Sequence, residues 1–202
     1  MILHTEAVSP ALLNLLQKLM KDEAFDDFYL VDGTALALRF GHRESVDIDL
    51  FTHIAFDAPA LACFLKEHYG MQETETAENT VRRLIDGIKV DVIAHRYPLL
   101  EPIEGIDGLR LVSLEDGAAM KLNAIANWGS KKDFWDYAEL LNQFSRDELL
   151  AFCRQKYEGD SLWNVEKSLC YFEDAEGDPD PRDLRGQSWE QVKTSIAEHN
   201  RL

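Results

Sequence analysis

The chain has 202 residues, a length that favours one domain or a domain with a closely packed extension. Lys and Arg total 21 against 37 Asp and Glu, a formal charge of −16 that excludes a protein coating DNA or anionic lipid through a broad basic face. Hydrophobic residues at 46% and aromatics at 10% exclude disorder, and no apolar run reaches the ~18 residues of a membrane span. The three cysteines (Cys63, Cys153 and Cys170) are odd in number and far apart, as expected of reduced thiols. The N-terminus lacks the basic and apolar regions of a secretory signal, so the expected location is the cytoplasm.

Ser9 and Pro10 read as the cap and first position of a helix with Leu12, Leu13, Leu16, Leu19 and Met20 on its apolar side. Phe28 to Val31 reads as a short buried strand ending at Asp32-Gly33-Thr34, where a helix from Thr34 to Phe40 begins and Gly41 closes it. Val46 to Phe51 is the next expected strand, and Asp57 with Pro59 opens a helix that runs to Tyr69-Gly70. Asp86-Gly87 between Arg82–Ile85 and Ile88–Ile93 is a strong hairpin signal. Ser113 with Asp116, Ser130 with Asp133, and Ser188 with Gln191 read as capping pairs of later helices, and Ser145 caps another. Leu162, Val165, Leu169 and Phe172 have helical spacing. The acidic stretch from Glu173 to Asp183 reads as a solvated loop. Strands first and helices afterwards predict an α+β fold: a small mixed sheet with flanking helices over residues 1–112, then a mainly helical part over 113–202 packed on it.

The densest chemistry lies in VDGTALALRFGHRESVDIDLF, residues 31 to 51. Asp47 and Asp49, two apart on a strand, project from one face and repel unless a cation sits between them. Oxygen ligands of this kind suit Mg²⁺ or Mn²⁺. The alternative is a solvated edge strand, but Val46, Ile48, Leu50 and Phe51 make the strand apolar, and buried acids without partners are costly. Asp91 interrupts the second hairpin strand in the same way, with Lys89 and Ile93 on its face. It either completes a metal site for phosphoryl or nucleotidyl transfer or pairs structurally with Lys89 or Arg83. Gly33-Thr34, at a strand-to-helix turn, offers backbone N–H groups to an anion. His42 and His95 read as hydrogen-bonded or surface residues, and Trp128, Trp135, Trp163 and Trp189 as core rather than base-stacking residues. Arg39, Arg43, Arg82, Arg83, Lys89, Lys121, Lys131 and Lys132 all fall near these motifs, with about half expected to be plain surface charges.

Together, a Gly-small turn and an Asp-x-Asp pair some dozen residues later resemble the polymerase-beta-like nucleotidyltransferase superfamily. More closely, the chain resembles the toxins of AbiE-type abortive-infection systems, through Gly33-Thr34-Ala35, Arg43 to Phe51, Val90 to Ile93, and Met120 through Lys131-Lys132-Asp133 to Asp136. The likeness continues through Tyr171 to Ala175 and Trp189 to Lys193. It implies Mg²⁺- or Mn²⁺-dependent transfer of an NMP from an NTP to a hydroxyl acceptor, such as a tRNA 3′ end, by a toxin with a cognate antitoxin. An inactive nucleotidyltransferase-like binding module is the competing implication. By the same resemblance, Gly33, Thr34, Arg43 and Ser45 bind nucleotide, and Asp47, Asp49 and Asp91 hold metal. Catalytic roles fall to Asp91, Lys121 and Asp133, with Lys121 neutralising phosphate charge. On their own residues, Lys121 reads equally as a snorkelling surface lysine and Asp133 as a capping acid. The family commonly has Gly where Asp32 stands, and an acid there repels a triphosphate unless it points away or helps hold metal.

Overall fold

The computed structural model describes residues 2–158 and 162–200, leaving aside the side chains of Glu73, Trp128, Leu162 and Trp163, so the readings of those two tryptophans and of Leu162 lie outside the described residues. The chain forms one seven-stranded mixed sheet with helices on both faces, an α+β fold. Helix α1 (Pro10–Lys21) starts where Ser9 Oγ accepts the Leu12 amide at 3.1 Å, with Pro10 in its first turn. Strand β1 (Tyr29–Leu30) leads into α2 (Asp32–Phe40), which Gly41 ends at φ +60°. Helix α2 begins two residues earlier than expected, because Asp32 itself makes the turn off the strand at φ +55°.

Strand β2 (Asp47–Thr52) is followed by α3 (Ala58–Tyr69), then β3 (Gln72–Ala77), β4 (Thr80–Ile85) and β5 (Ile88–Ala94). Asp86 and Gly87 both take positive φ between β4 and β5, as a two-residue hairpin with right-handed strand twist requires. Asp107-Gly108 does the same between β6 (Glu104–Ile106) and β7 (Leu109–Leu111). That second hairpin carries the same dipeptide signal, yet its three-residue strands are too short to show alternation. Strand β3 is equally silent, since QETETA has almost no apolar residue; as a sheet edge it pairs, among the described residues, with β4 alone.

The sheet order is β3-β4-β5-β2-β1-β7-β6, with β2 parallel to β5 and β1 parallel to β7. Ile48, Leu50, Val81, Ile85, Val90 and Val92 face α1 and α3 and form one apolar core with them. On the opposite face Met120 of α4 (Leu114–Trp128) packs against Tyr29, Val31 and Val112, and α5 (Lys131–Leu140), α6 (Arg146–Lys156), α7 (Leu162–Ser168) and α8 (Trp189–His199) build a second core with α4. Leu36 and Phe40 of α2 belong to the second core, built with these helices, so α2 joins the sheet to the helical part. Trp135 and Trp189 stack there with ring centroids 5.6 Å apart. Helix α7 stops short of Leu169 and Phe172. The Ser130–Asp133, Ser145–Glu148 and Ser188–Gln191 capping boxes are all formed. At Ser113 only half a box exists, because the Asp116 carboxylate turns to the buried Lys156 ammonium and to the Leu100 and Glu101 amides.

The acidic stretch after Phe172 is largely exposed, as expected of a solvated loop, and it is also a strap across the molecule. Trp135 Nε1 donates to Asp183, the Lys131 ammonium reaches Asp180 at 2.8 Å, and Glu44 N and Leu184 N bond across to Arg182 O and His42 O. Asp178, Asp180 and Asp183 are partners of α5, and the strap backbone and Arg182 hold residues 42–44, which local composition could not show. No helix among the described residues is long and apolar enough to cross a membrane.

Candidate active site

Asp47, Asp49 and Asp91 lie on one face of the sheet: the parallel register sets Asp49 beside Asp91 and Asp47 beside Lys89. Asp91 Oδ2 receives Lys89 Nζ at 3.2 Å and Arg82 Nε at 3.5 Å, Arg82 being directly opposite on β4. Arg83 points elsewhere and pairs with Glu75. Asp91 Oδ1 is buried without a hydrogen-bond partner, an expensive state for a carboxylate oxygen. Burial, together with Asp32, Asp91 and Asp47, pushes the Asp49 carboxyl up to about 7 against the opposing pull of Lys89. An all-carboxylate set with an orphaned oxygen and an acid that resists ionisation fits a hard divalent cation.

A second acidic cluster lies beside the first. Asp32, Asp133 and Asp136 form, among the described residues, the one trio of acids whose oxygens all lie within 4.8 Å; Asp47, Asp49 and Asp91 share a face without closing to that spacing. The trio already holds a cation. The buried Lys121 ammonium sits 2.8 Å from Asp133 Oδ1 and 2.9 Å from Asp136 Oδ2, and also pairs with Asp32. The ammonium donates hydrogen bonds to Asp32 and Asp133 and forms an ion pair with Asp136, so its charge is spent on these three acids. Lys121 therefore makes no phosphate contact in this arrangement, nor is it a snorkelling surface residue. Burial works against its charge, but Asp133, Asp136 and Asp32 outweigh that and raise its pKa well above the usual lysine range.

Asp136, which α5 projects one turn beyond Asp133, is the hub that residue-by-residue reading missed. Fully buried, it takes His42 Nε2 at 2.8 Å, Arg43 Nε at 2.7 Å, Arg43 Nη2 at 2.8 Å and the Lys121 ammonium. Burial opposes its ionisation, yet Arg43, Lys121 and His42 hold its carboxyl well below the ordinary range. Asp133 doubles as the capping acid of α5, accepting Ser130 N at 3.0 Å. The only signal was the spacing of acids three apart on a helix after two lysines.

The residues expected to bind nucleotide are engaged inside the protein. The Thr34 hydroxyl donates to the Asp47 carbonyl and lies 2.8 Å from the Ser45 hydroxyl, tying α2 to β2. Arg43 is 2% exposed and committed to Asp136. Gly33 allows that: a Cβ there would lie 2.4 Å from Arg43 Nη2. Gly33→Ala should accordingly displace the guanidinium and cost about 1–3 kcal/mol, measurable by denaturant titration. Arg39 likewise serves the fold, pairing with Glu104 and the Val112 carbonyl. Val31 gives α2 no side-chain cap, whereas Ser9, Asp57 and Ser113 cap their helices, and the acid in the first turn of α2 is Asp32.

A cavity of about 390 Å³ adjoins Asp47, walled by Arg43 to Asp47, the Ser130–Lys132 turn and residues 178–182 of the strap. Lys132, half exposed, stands at its edge with its ammonium 3.5 Å from Asp47 Oδ2.

A mixed sheet with Asp-x-Asp on one strand, a third Asp on its parallel neighbour and a Gly-Thr helix turn defines a nucleotidyltransferase. The chain belongs to the nucleotidyl transferase AbiEii toxin family of type IV toxin–antitoxin systems, whose model matches residues 14–200. It is 39% identical over 166 residues to the Aquifex aeolicus protein aq_aa25, covering 79% of this chain and 81% of that one. Its fold is that of JHP933 from Helicobacter pylori (TM-score 0.57, 17% identity, 96% and 91% of the two chains). The nucleotidyltransferase toxin MenT4 of Mycobacterium tuberculosis is similar too (TM-score 0.57, 18% identity, 95% and 84%).

Proposed function

We propose that this toxin transfers an NMP from an NTP to the 3′-hydroxyl of a tRNA, in the cytoplasm, where a cognate antitoxin restrains it as one half of a phage-defence pair. The observation that carries this reading is the set of three acids on one sheet face, with a buried, unpaired oxygen on Asp91. Asp47 and Asp49, joined by Asp91, would hold Mg²⁺ or Mn²⁺, which when bound neutralises charge on the reacting phosphates. In this reading Asp91 would accept the proton of the attacking hydroxyl. The new bond joins that oxygen to the α-phosphorus, and the bond to pyrophosphate breaks. The α2 amides and Lys132 meet the phosphates. Lys121, Arg43, Asp133 and Asp136 act behind them, fixing α5 and the Gly33 turn against β2.

With net charge −16, the surface offers nucleic acid little beyond the lysines and arginines near the cleft. The test is incubation with each α-labelled NTP, Mg²⁺ and total RNA. Label should enter tRNA-sized RNA with one NTP and disappear with EDTA. RNA that stays unlabelled with all four, by a protein that still folds, overturns the transfer reading and leaves a binding module.

A further inference from the structure

Residue 32 carries features that nucleotidyl transfer alone does not use. Its backbone lies at φ +55°, a region that disfavours most side chains. Its carboxylate is 40% exposed, although it pairs with the buried Lys121. The preceding Val31 donates its amide to the Asp49 carbonyl at 3.0 Å, so Asp32 stands immediately beside the acid face. Two buried cations, Lys121 and Arg43, are already matched by two buried carboxylates, Asp133 and Asp136. Asp32 adds a third carboxylate to that cluster and leaves an excess of negative charge at the mouth of the α2 turn. A cation approaching Asp47 and Asp49 feels that excess as attraction, and a bare phosphate approaching the turn feels it as repulsion.

We infer that Asp32 makes nucleotide binding at the α2 turn depend on a divalent cation already held by Asp47 and Asp49. The inference rests on the nucleotidyl-transfer reading above. Binding free energies are reciprocal, so this charge is felt as a coupling: the cation tightens the nucleotide and the nucleotide tightens the cation by the same factor. Removing the charge weakens cation binding, strengthens cation-free nucleotide binding and shrinks the coupling. Lys121 keeps two carboxylates in that case.

The test is calorimetric titration of the full chain with each NTP, with and without Mg²⁺, and with Mg²⁺ alone. The native protein is compared with Asp32→Asn, which tolerates the left-handed backbone, and Asp32→Gly, each checked for its melting temperature. The factor by which Mg²⁺ tightens the nucleotide should be about tenfold larger in the native protein than in either variant. Mg²⁺ alone should bind the variants several-fold more weakly. Equal coupling in all three proteins overturns the inference, including the case in which the variants only melt earlier, as loss of a structural partner for Lys121 would produce. If no protein binds any NTP with Mg²⁺, the transfer reading fails; unchanged affinity for Mg²⁺ alone then overturns the role of Asp32 at the cation site, and weaker affinity supports it.

Discussion

Asp49→Asn should abolish nucleotidyl transfer while leaving the melting temperature unchanged or raised. The substitution keeps the shape of the side chain and removes the charge that Asp32, Asp91 and Asp47 all oppose. Fold and metal face therefore pull in opposite directions at this residue. The pH dependence has a definite sign. A carboxyl raised to about 7 in the folded protein, against an ordinary 3.8, holds a proton that the unfolded chain releases. Without divalent cation, native stability should fall as pH rises between those values and level off above them. Asp49→Asn should flatten that slope. Mg²⁺ should restore stability to the native protein near pH 8 and do little for the variant. Denaturant titrations at pH 5 and pH 8, with EDTA and with Mg²⁺, read all four cases. A variant that retains transfer, or that keeps the native slope, would remove Asp49 from the metal face.

Asp136→Ala should be the most destabilising single change in the cluster, costing about 3–5 kcal/mol because it strands buried cations without a counter-charge. For a chain of this size that is a melting-temperature fall on the order of 10 °C. Arg43 would lose both carboxylate bonds, and Lys121 one of its three ion-pair partners. Asp136→Asn should cost less, since an amide oxygen still accepts hydrogen bonds. Here the linkage has the opposite sign to that at Asp49. The folded-state pKa of Asp136 is depressed, so its contribution is present above the ordinary carboxylate range and is lost as pH falls through and below it. The native protein should lose stability steeply below about pH 4, and Asp136→Ala should show a shallower acid limb. An Asp136→Ala protein that melts with the native one would show that the four contacts to Asp136 are incidental.

The acid face was legible in the chain because strand periodicity is a local property. Asp47 and Asp49 two apart, and Asp91 among Val90, Val92 and Ile93, declare their faces without knowledge of any neighbour. The same holds for Asp86-Gly87 and for the capping boxes at Ser130 and Ser188, whose bonds close within a few residues. Strand β3 and the strap after Phe172 were not legible, because edge pairing and long-range ion pairs leave no mark on local composition. The same limit applies with more force to the charges. Lys121 and Asp133 were singled out, but that Lys121 faces three carboxylates rather than a phosphate depends on how α2, α4 and α5 cross. So does the position of Asp136 beneath Arg43, and of Arg43 beneath Gly33. Coulomb energies depend on separation in space and on burial, and for groups some 90 residues apart only the packed structure supplies either.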